Sequence, residues 1–329
     1  MMRKITSLLC GIICCLCPLF AWGQRHSLMV YTAVEPNLLH RYKEAFQKQY
    51  PDIQLHFVRD SASPIIARIL AEKEHPQADV VLAVSVIALE KLSAQNLLQK
   101  IPSAQDQLAP VWKAPKSDWY PVNAWGAAIV VNTDLLKKYN LPIPQSWRDL
   151  ANPIYKNHIA MPHPISSSTG YMILLGWINL YKNDVWTFMK DIHPNILTYT
   201  FSGSRPISMV AQGEIAIGIS SAAFANPFMK DYIPMQIIEP KEGLAWDAEG
   251  CAVLASSPKK ELTQKFIEFC KSPAVAEIAR DFSGISPVAG YSSPAGEKTK
   301  ALFLPINFSE ASAQKSEILR LWQKTIGEK

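Results

Sequence analysis

Cysteines, charge clusters and repeats are scarce in this sequence of 329 residues. Four of the six cysteines fall within the first 17 residues, and only Cys251 and Cys270 lie beyond them. The chain has no low-complexity tract, no block of one charge sign and no repeat at a solenoid or propeller period, which excludes a repeat array. Cys251 and Cys270 leave two alternatives open, namely a disulfide in an oxidising compartment or two buried thiols.

The charge pattern also argues against one class of partner. The formal net charge is +5, and no stripe of lysine and arginine interleaved with aromatic residues is present. We therefore expect no nucleic acid partner. A hydrophobic content of 48% and a charged content of 19% are ordinary for a soluble globular protein, and the length suits two domains.

The first 23 residues have the pattern of an export signal. Arg3 and Lys4 precede a long apolar run, and Ala21-Trp22-Gly23 supplies small residues for cleavage. We predict a signal peptide over residues 1–23, cut near Gly23-Gln24, and a periplasmic mature protein. An uncleaved anchor and a lipidated form remain alternatives, since the apolar run is about long enough to span a bilayer.

Strand and helix patterns alternate along the mature chain. The order β-α-β-α-β-α opens it, and a second such series begins near Trp125, so we predict an α/β fold with mostly parallel sheets flanked by helices. We predict two lobes with a ligand cleft at the hinge between them. Lobe 1 comprises residues 24–125 and 245–329, and lobe 2 comprises residues 126–244.

Five segments in succession resemble one known family. They include "LMVYTAVEPNLLHRYKEAFQKQYPDIQLHFVRDS", "VVNTDLLKKYNLPIPQSWRDLANPIYKNHIAMPHPISSSTGY" and "SGSRPISMVAQGEIAIGIS". Their order is similar to that in bacterial periplasmic solute-binding proteins of the iron-binding-like class, whose members are named for ferric ion, 2-aminoethylphosphonate and hexose phosphates. The resemblance implies a type II periplasmic-binding-protein fold that closes around its ligand. It also implies delivery to an inner-membrane ABC permease, with the binding protein as a monomer.

Small hydroxyl side chains stand where strands give way to helices. Helix N-termini bind anions because their N–H groups are unpaired and the helix dipole is positive there. Serines and threonines are also the ordinary N-cap residues, so each position has a purely structural alternative. The predicted anion-binding residues are Thr32, Ser61, Ser85, Ser168, Thr169, Ser202 and Ser204, with Arg205 as the cation.

The segment "LAWDAEG" adds acceptor groups to the predicted site. Asp247 and Glu249 would bind sugar hydroxyls or an ammonium group, and Trp246 would offer a flat apolar face. The alternative is that both acids cap neighbouring loops. Aromatic residues at 119, 120 and 125 could form a second wall, although aromatics this dense are mostly core.

Other classes fit the sequence less well. Ferric-binding relatives use adjacent tyrosines, whereas this chain has Ser220-Ser221-Ala222-Ala223-Phe224 at that place, and we expect no metal. "GISSA" lacks the second glycine of a nucleophile elbow, so we expect no enzyme and no cofactor. The predicted ligand is a small anionic solute, with a hexose phosphate such as glucose 6-phosphate first and an organophosphonate such as 2-aminoethylphosphonate second. Presentation of that ligand to a membrane kinase is a further alternative.

Overall fold

A computed structural model describes residues 26–101, 108–229 and 233–327. Strands and helices alternate through most of the chain, as predicted. The strands are β1 His26–Thr32, β2 Ile53–Arg59, β3 Val80–Ser85, β4 Tyr120–Asn132, β5 Ile159–Pro162, β6 Ile196–Thr200, β7 Ile217–Ser221, β8 Met235–Ile238 and β9 Trp246–Val253. The helices are α1 Pro36–Gln49, α2 Ala62–Ala71, α3 Val86–Ala94, α4 Thr133–Lys138, α5 Ser168–Tyr181, α6 Val185–Ile192, α7 Arg205–Ala211, α8 Asn226–Met229, α9 Lys260–Cys270, α10 Pro273–Ser283, α11 Pro294–Lys300 and α12 Phe308–Ile326.

The strands follow the order β2-β1-β3-β9-β4-β7-β5-β6, and β8 also pairs with β4. Strands β1, β2 and β3 run parallel, while β9 is antiparallel to both β3 and β4. Strands β5, β6 and β7 form a second parallel group, to which β4 is antiparallel. We call the part from β2 to the start of β4 the first sheet, and the part from the end of β4 to β6, with β8, the second sheet.

One long strand belongs to both sheets. The 13 residues of β4 are all buried, and residues up to Gly126 pair with β9 whereas those from Ala127 pair with β7. A second segment returns beside it, because the Ala127 N–H donates to the Ala245 carbonyl at 2.7 Å. The two sheets are therefore connected by two neighbouring backbones rather than by loose loops.

Helix boundaries follow local chemistry at most places. Pro36 opens α1, where its missing N–H has no intrahelical role. The Ser167 hydroxyl accepts from the Gly170 N–H and so begins α5. Helix α2 begins at Ala62, directly after Ser61. The Ser63 hydroxyl is buried inside that helix and has no hydrogen-bond partner among the described residues.

The C-terminal helix contacts both sheets. Helix α12 packs on α3 beside the first sheet and on α6 beside the second. Near its end the buried Trp322 ring stands 4.9 Å from His163 and 5.5 Å from Tyr199. Helix α12, which falls within predicted lobe 1, therefore also contacts the second sheet, and the lobe division stays a prediction.

The predicted signal peptide lies outside the described residues. Within the described ranges, no helix has both the length and the apolar character needed to span a membrane. Cys251 on β9 and Cys270 at the end of α9 are both buried and unbonded thiols, which agrees with the second of the two alternatives for this pair.

Candidate functional site

A cavity of about 280 Å³ opens at the carboxyl ends of the first three strands. Its wall on the side of the first sheet comes from β1, β2, β3 and β9. The opposite wall comes from the two loops that precede α5 and α7 and from the turn that follows β7. The lining residues are Ala33, Glu35, Arg59, Ser61, Ala62, Ser85 and Glu249 on the first wall, and Ser167, Ser168, Thr169, Ser202, Gly203, Ser204 and Phe224 on the second.

The loop 201–204 is held by its carbonyl groups. Ser166 donates to the Phe201 carbonyl at 3.2 Å, and Thr200 donates to that of Ser202 at 2.9 Å. Ser220 donates to the carbonyl of Gly203, and the Ile207 N–H donates to that of Ser204. Among the described residues, the N–H groups of residues 202–204 have no acceptor, and all three residues line the cavity.

The first turn of α5 adds to these donors. Ser168 and Thr169 occupy its first two positions, where backbone N–H groups have no intrahelical acceptor. Gly203 lies directly against this turn, and a Cβ there would overlap Thr169 Oγ1 and stand 3.4 Å from Ser167 Oγ. Glycine at 203 therefore allows the two donor groups to meet at one place, an arrangement suited to binding an anion.

The charged side chains lie on the opposite wall. The Arg59 guanidinium donates to the Val34 carbonyl at 2.8 Å and to Glu35 Oε2 at 2.9 Å. Glu249 accepts from Asn123 Nδ2 at 2.8 Å. The pKa of Glu249 is raised to about 7, mainly by burial; the bond from Asn123 lowers it and the negative charge of Glu35 raises it.

A distortion of β3 directs Ser85 at the cavity. The pairing of β3 with β9 shifts register between Val81 and Val84, and Ala83 adopts a left-handed φ of 48°. Such bulges re-aim the side chains that follow them. Ser85 precedes α3 without capping it, and its hydroxyl donates instead to Asp247 Oδ2 at 2.5 Å.

Asp247 is fully buried behind Ser85. The pKa of its carboxyl is raised to about 8, mainly by burial; the bond from Ser85 lowers it and the charge of Glu249 raises it. Its Oδ1 has no hydrogen-bond partner among the described residues. Asp247 thus supports the cavity from beneath and does not line it.

Most of the predicted site residues do meet at this cavity. Their contact with a ligand stays a prediction. The structure brings together Ser61, Ser85, Ser168, Thr169, Ser202, Ser204 and Glu249. Three predicted residues are placed elsewhere, namely Thr32, Arg205 and Asp247.

Thr32 and Arg205 have partners within the protein. The buried Thr32 hydroxyl donates to the Leu82 carbonyl at 2.8 Å and accepts from the Val34 N–H, so it supports the β3 bulge. Arg205 turns away from the loop it follows. Its guanidinium bonds to Glu214 at 2.7 Å and to Gln212 at 3.2 Å.

The predicted aromatic walls belong to other parts of the molecule. Trp246 stacks on Phe303 at 4.8 Å and donates to the Leu304 carbonyl, outside this cavity. Trp119 is buried and donates to Glu90. Glu35 and Phe224 are among the lining residues that sequence reasoning missed. Glu35 follows the first strand as Ser61 follows the second, and that position was the available signal.

A cleft between two sheet regions that share crossing strands defines a type II periplasmic binding protein. Residues 75–312 match the family model described as a bacterial extracellular solute-binding protein, and the chain belongs to that family. The thiamine-binding periplasmic protein of Escherichia coli is 26% identical and covers 99% of both chains. A putative 2-aminoethylphosphonate-binding periplasmic protein of Salmonella typhi is 23% identical over 78% of this chain and 76% of its own.

A solved structure adds a comparison at the level of the fold. The periplasmic binding protein AfuA of Actinobacillus pleuropneumoniae, described with fructose 6-phosphate bound, superposes with a TM-score of 0.85. It is 25% identical and the match covers 92% of this chain and 99% of that one. The fold class and the family predicted from the sequence are thereby confirmed.

Proposed function

We propose that this protein is the substrate-binding component of an ABC importer that captures a small phosphorylated solute between two lobes, with a hexose phosphate such as glucose 6-phosphate first. Lobe 1 would comprise residues 24–125 and 245–329, and lobe 2 residues 126–244. The mature protein would act in the periplasm as a monomer, after cleavage near Gly23-Gln24. Its partner would be an inner-membrane permease.

One observation carries the anionic part of this proposal. The loop 201–204 has its carbonyls bound by the protein and its N–H groups free of acceptors, and it lies against the first turn of α5, where the N–H groups of Ser168 and Thr169 have no intrahelical acceptor. An array of backbone donors and hydroxyls without counter-acceptors is complementary to phosphate oxygens. Arg59 on the facing wall adds a positive charge.

The rest of the solute would face the first sheet. Glu35, Glu249 and Ser85 supply acceptor oxygens there, which suit the hydroxyl groups of a sugar. The same carboxylates also favour a second candidate, 2-aminoethylphosphonate, whose ammonium group would sit between them. Binding in either case needs no chemical step, because a solute that contacts both walls stabilises the closed arrangement.

Thermal unfolding of the chain from Gln24 onward tests the proposal. Samples would contain glucose 6-phosphate, 2-aminoethylphosphonate, inorganic phosphate, glucose, thiamine or ferric citrate. A ligand at 100 times its Kd stabilises by about 2.7 kcal/mol, which is several degrees in Tm. We expect the sugar phosphate to raise Tm most and glucose to have no effect. A shift with thiamine or ferric citrate alone would overturn the anion assignment.

A further inference from the structure

Ser85 differs from the other hydroxyls of the cavity in what its hydrogen does. A hydroxyl has one hydrogen to donate and two lone pairs that accept. The hydrogen of Ser85 is directed to Asp247 Oδ2, which lies 2.5 Å away and is fully buried. The side of Ser85 that faces the cavity is therefore left with lone pairs only.

The surroundings of Ser85 reinforce this polarity. Ser85 is paired with Glu249 across β3 and β9, and Glu249 lines the same cavity. Glu35 lies on the same wall. A phosphate oxygen placed beside Ser85 would face the Ser85 lone pairs and the Glu249 carboxyl, whereas a hydroxyl or ammonium group of the solute would find acceptors there. The Arg59 guanidinium on this wall is bonded to Glu35 and to the Val34 carbonyl.

We infer that Ser85 reads a hydrogen-bond donor on the solute, and that Asp247 is the positioning residue that gives Ser85 this acceptor role. The inference rests on the proposed function, since it assigns the end of the phosphorylated solute that is remote from the phosphate. It explains why β3 carries a bulge with a left-handed alanine two residues before Ser85, because that bulge aims the hydroxyl at Asp247 and the cavity together.

Binding of a solute at Ser85 also affects the proton on the Asp247 carboxyl. The charge of Glu249 on the same strand raises the pKa of Asp247, and the charge of Lys315 on α12 lowers it. Ser85 of β3 is hydrogen-bonded to Asp247, and Trp125 of β4 is paired with it in the sheet. In the free protein the Asp247 carboxyl carries a proton at neutral pH, because burial raises its pKa to about 8. A solute donor at Ser85 favours a Ser85 hydroxyl that donates to an unprotonated Oδ2. Because Oδ1 has no acceptor for a proton among the described residues, binding favours release of the proton to water.

Isothermal titration calorimetry with matched ligands tests both statements. The pairs are glucose 6-phosphate with methyl phosphate, and 2-aminoethylphosphonate with ethylphosphonate, which lack the donor groups. We expect Ser85→Ala to weaken the donor-bearing ligand about tenfold and its donor-free partner by no more than about twofold. The matched control is Ser61→Ala, which removes a cavity hydroxyl that has no carboxylate behind it and should not change the proton count.

Titrations at pH 7 in buffers of different ionisation enthalpy give the protons released. Asp247→Asn keeps an oxygen that accepts from Ser85, so it should retain the ligand preference and release fewer protons than the wild type. If Ser85→Ala weakens binding of the two members of a ligand pair equally, the inference is overturned and the proposed function stands. The same holds if Asp247→Asn releases as many protons as the wild type. A wild-type protein that binds none of the four ligands overturns the proposed function and, with it, the inference.

Discussion

Gly203 packs so closely on Thr169 that a methyl group at 203 would overlap the threonine hydroxyl. We therefore expect Gly203→Ala to separate the 201–204 loop from the first turn of α5 and to weaken phosphate-ester binding about tenfold. The effect on the fold should be small, because the loop is partly exposed. Calorimetric titration with glucose 6-phosphate measures the loss of affinity.

Gly213→Ala is the matched control for that change. Gly213 has a φ of 71° and open space around it, so alanine there costs about 1 kcal/mol of backbone strain without touching the cavity. Its Tm should fall while its affinity stays at the wild-type value. Equal affinity loss in both variants would show that the Gly203–Thr169 contact has no special role.

Two arginines give opposite expectations. Arg59 lines the cavity, whereas Arg205 pairs with Glu214 outside it. Arg59→Gln should weaken glucose 6-phosphate at least about tenfold and reduce the salt dependence of binding. Arg205→Gln should leave affinity unchanged and lower stability by less than about 1 kcal/mol, as for other exposed ion pairs. A larger affinity loss in Arg205→Gln would restore the ligand role predicted from the sequence.

The stability of the ligand-free protein should fall as pH rises from 5 to 8. The carboxyls of Asp247 and Glu249 have pKa values of about 8 and about 7 in the fold, above their ordinary values of 3.8 and 4.5. Over this range the folded protein holds protons that the unfolded chain has lost, so the free energy of unfolding decreases with pH. Denaturant titrations at pH 5, 6, 7 and 8 measure the slope.

The slope should flatten in two variants that cannot ionise at these positions, Asp247→Asn and Glu249→Gln. Each keeps the shape of the side chain and removes one of the two carboxyls. Wild-type stability that is constant between pH 5 and pH 8 would mean that both carboxyls are ionised throughout.

The two remaining cysteines should behave as inert thiols. Cys251 and Cys270 are buried, and burial raises the pKa of Cys270 well above its usual range, so little thiolate forms. A thiol reagent should modify neither residue in the folded protein and both after denaturation, in the chain from Gln24. Failure to detect two thiols in the denatured protein without reductant would instead indicate a disulfide.

The sequence reveals much of the site because its chemistry is local. Four of the predicted residues lie just before a helix or within its first turn, namely Ser168, Thr169, Ser202 and Ser204. The helical pattern and the neighbouring glycine in the sequence predict that position. The parallel order of the strands then brings such helix starts to one edge of the sheet. Both steps depend on residues that are close in sequence.

Tertiary contacts decide the residues that sequence reasoning misplaced. Asp247 and Glu249 share one face of β9 by alternation, but only the packing of β3 and α12 determines that the first is buried and the second lines the cavity. Arg205 forms an ion pair with Glu214, which the turn after α7 brings back toward it. Thr32 supports the bulge of β3, which the sequence pattern of that strand does not predict.

The bond between Ala127 and Ala245 joins the only two described backbone segments that run directly from one sheet to the other. Together they form a two-stranded ribbon, which bends far more readily out of its own plane than within it. Bending of this ribbon would change the width of the cleft, and helix α12, which packs on both α3 and α6, would have to adjust with it. Residues that stiffen this ribbon would alter how often the empty protein samples the closed form, and so its apparent affinity, without touching the solute.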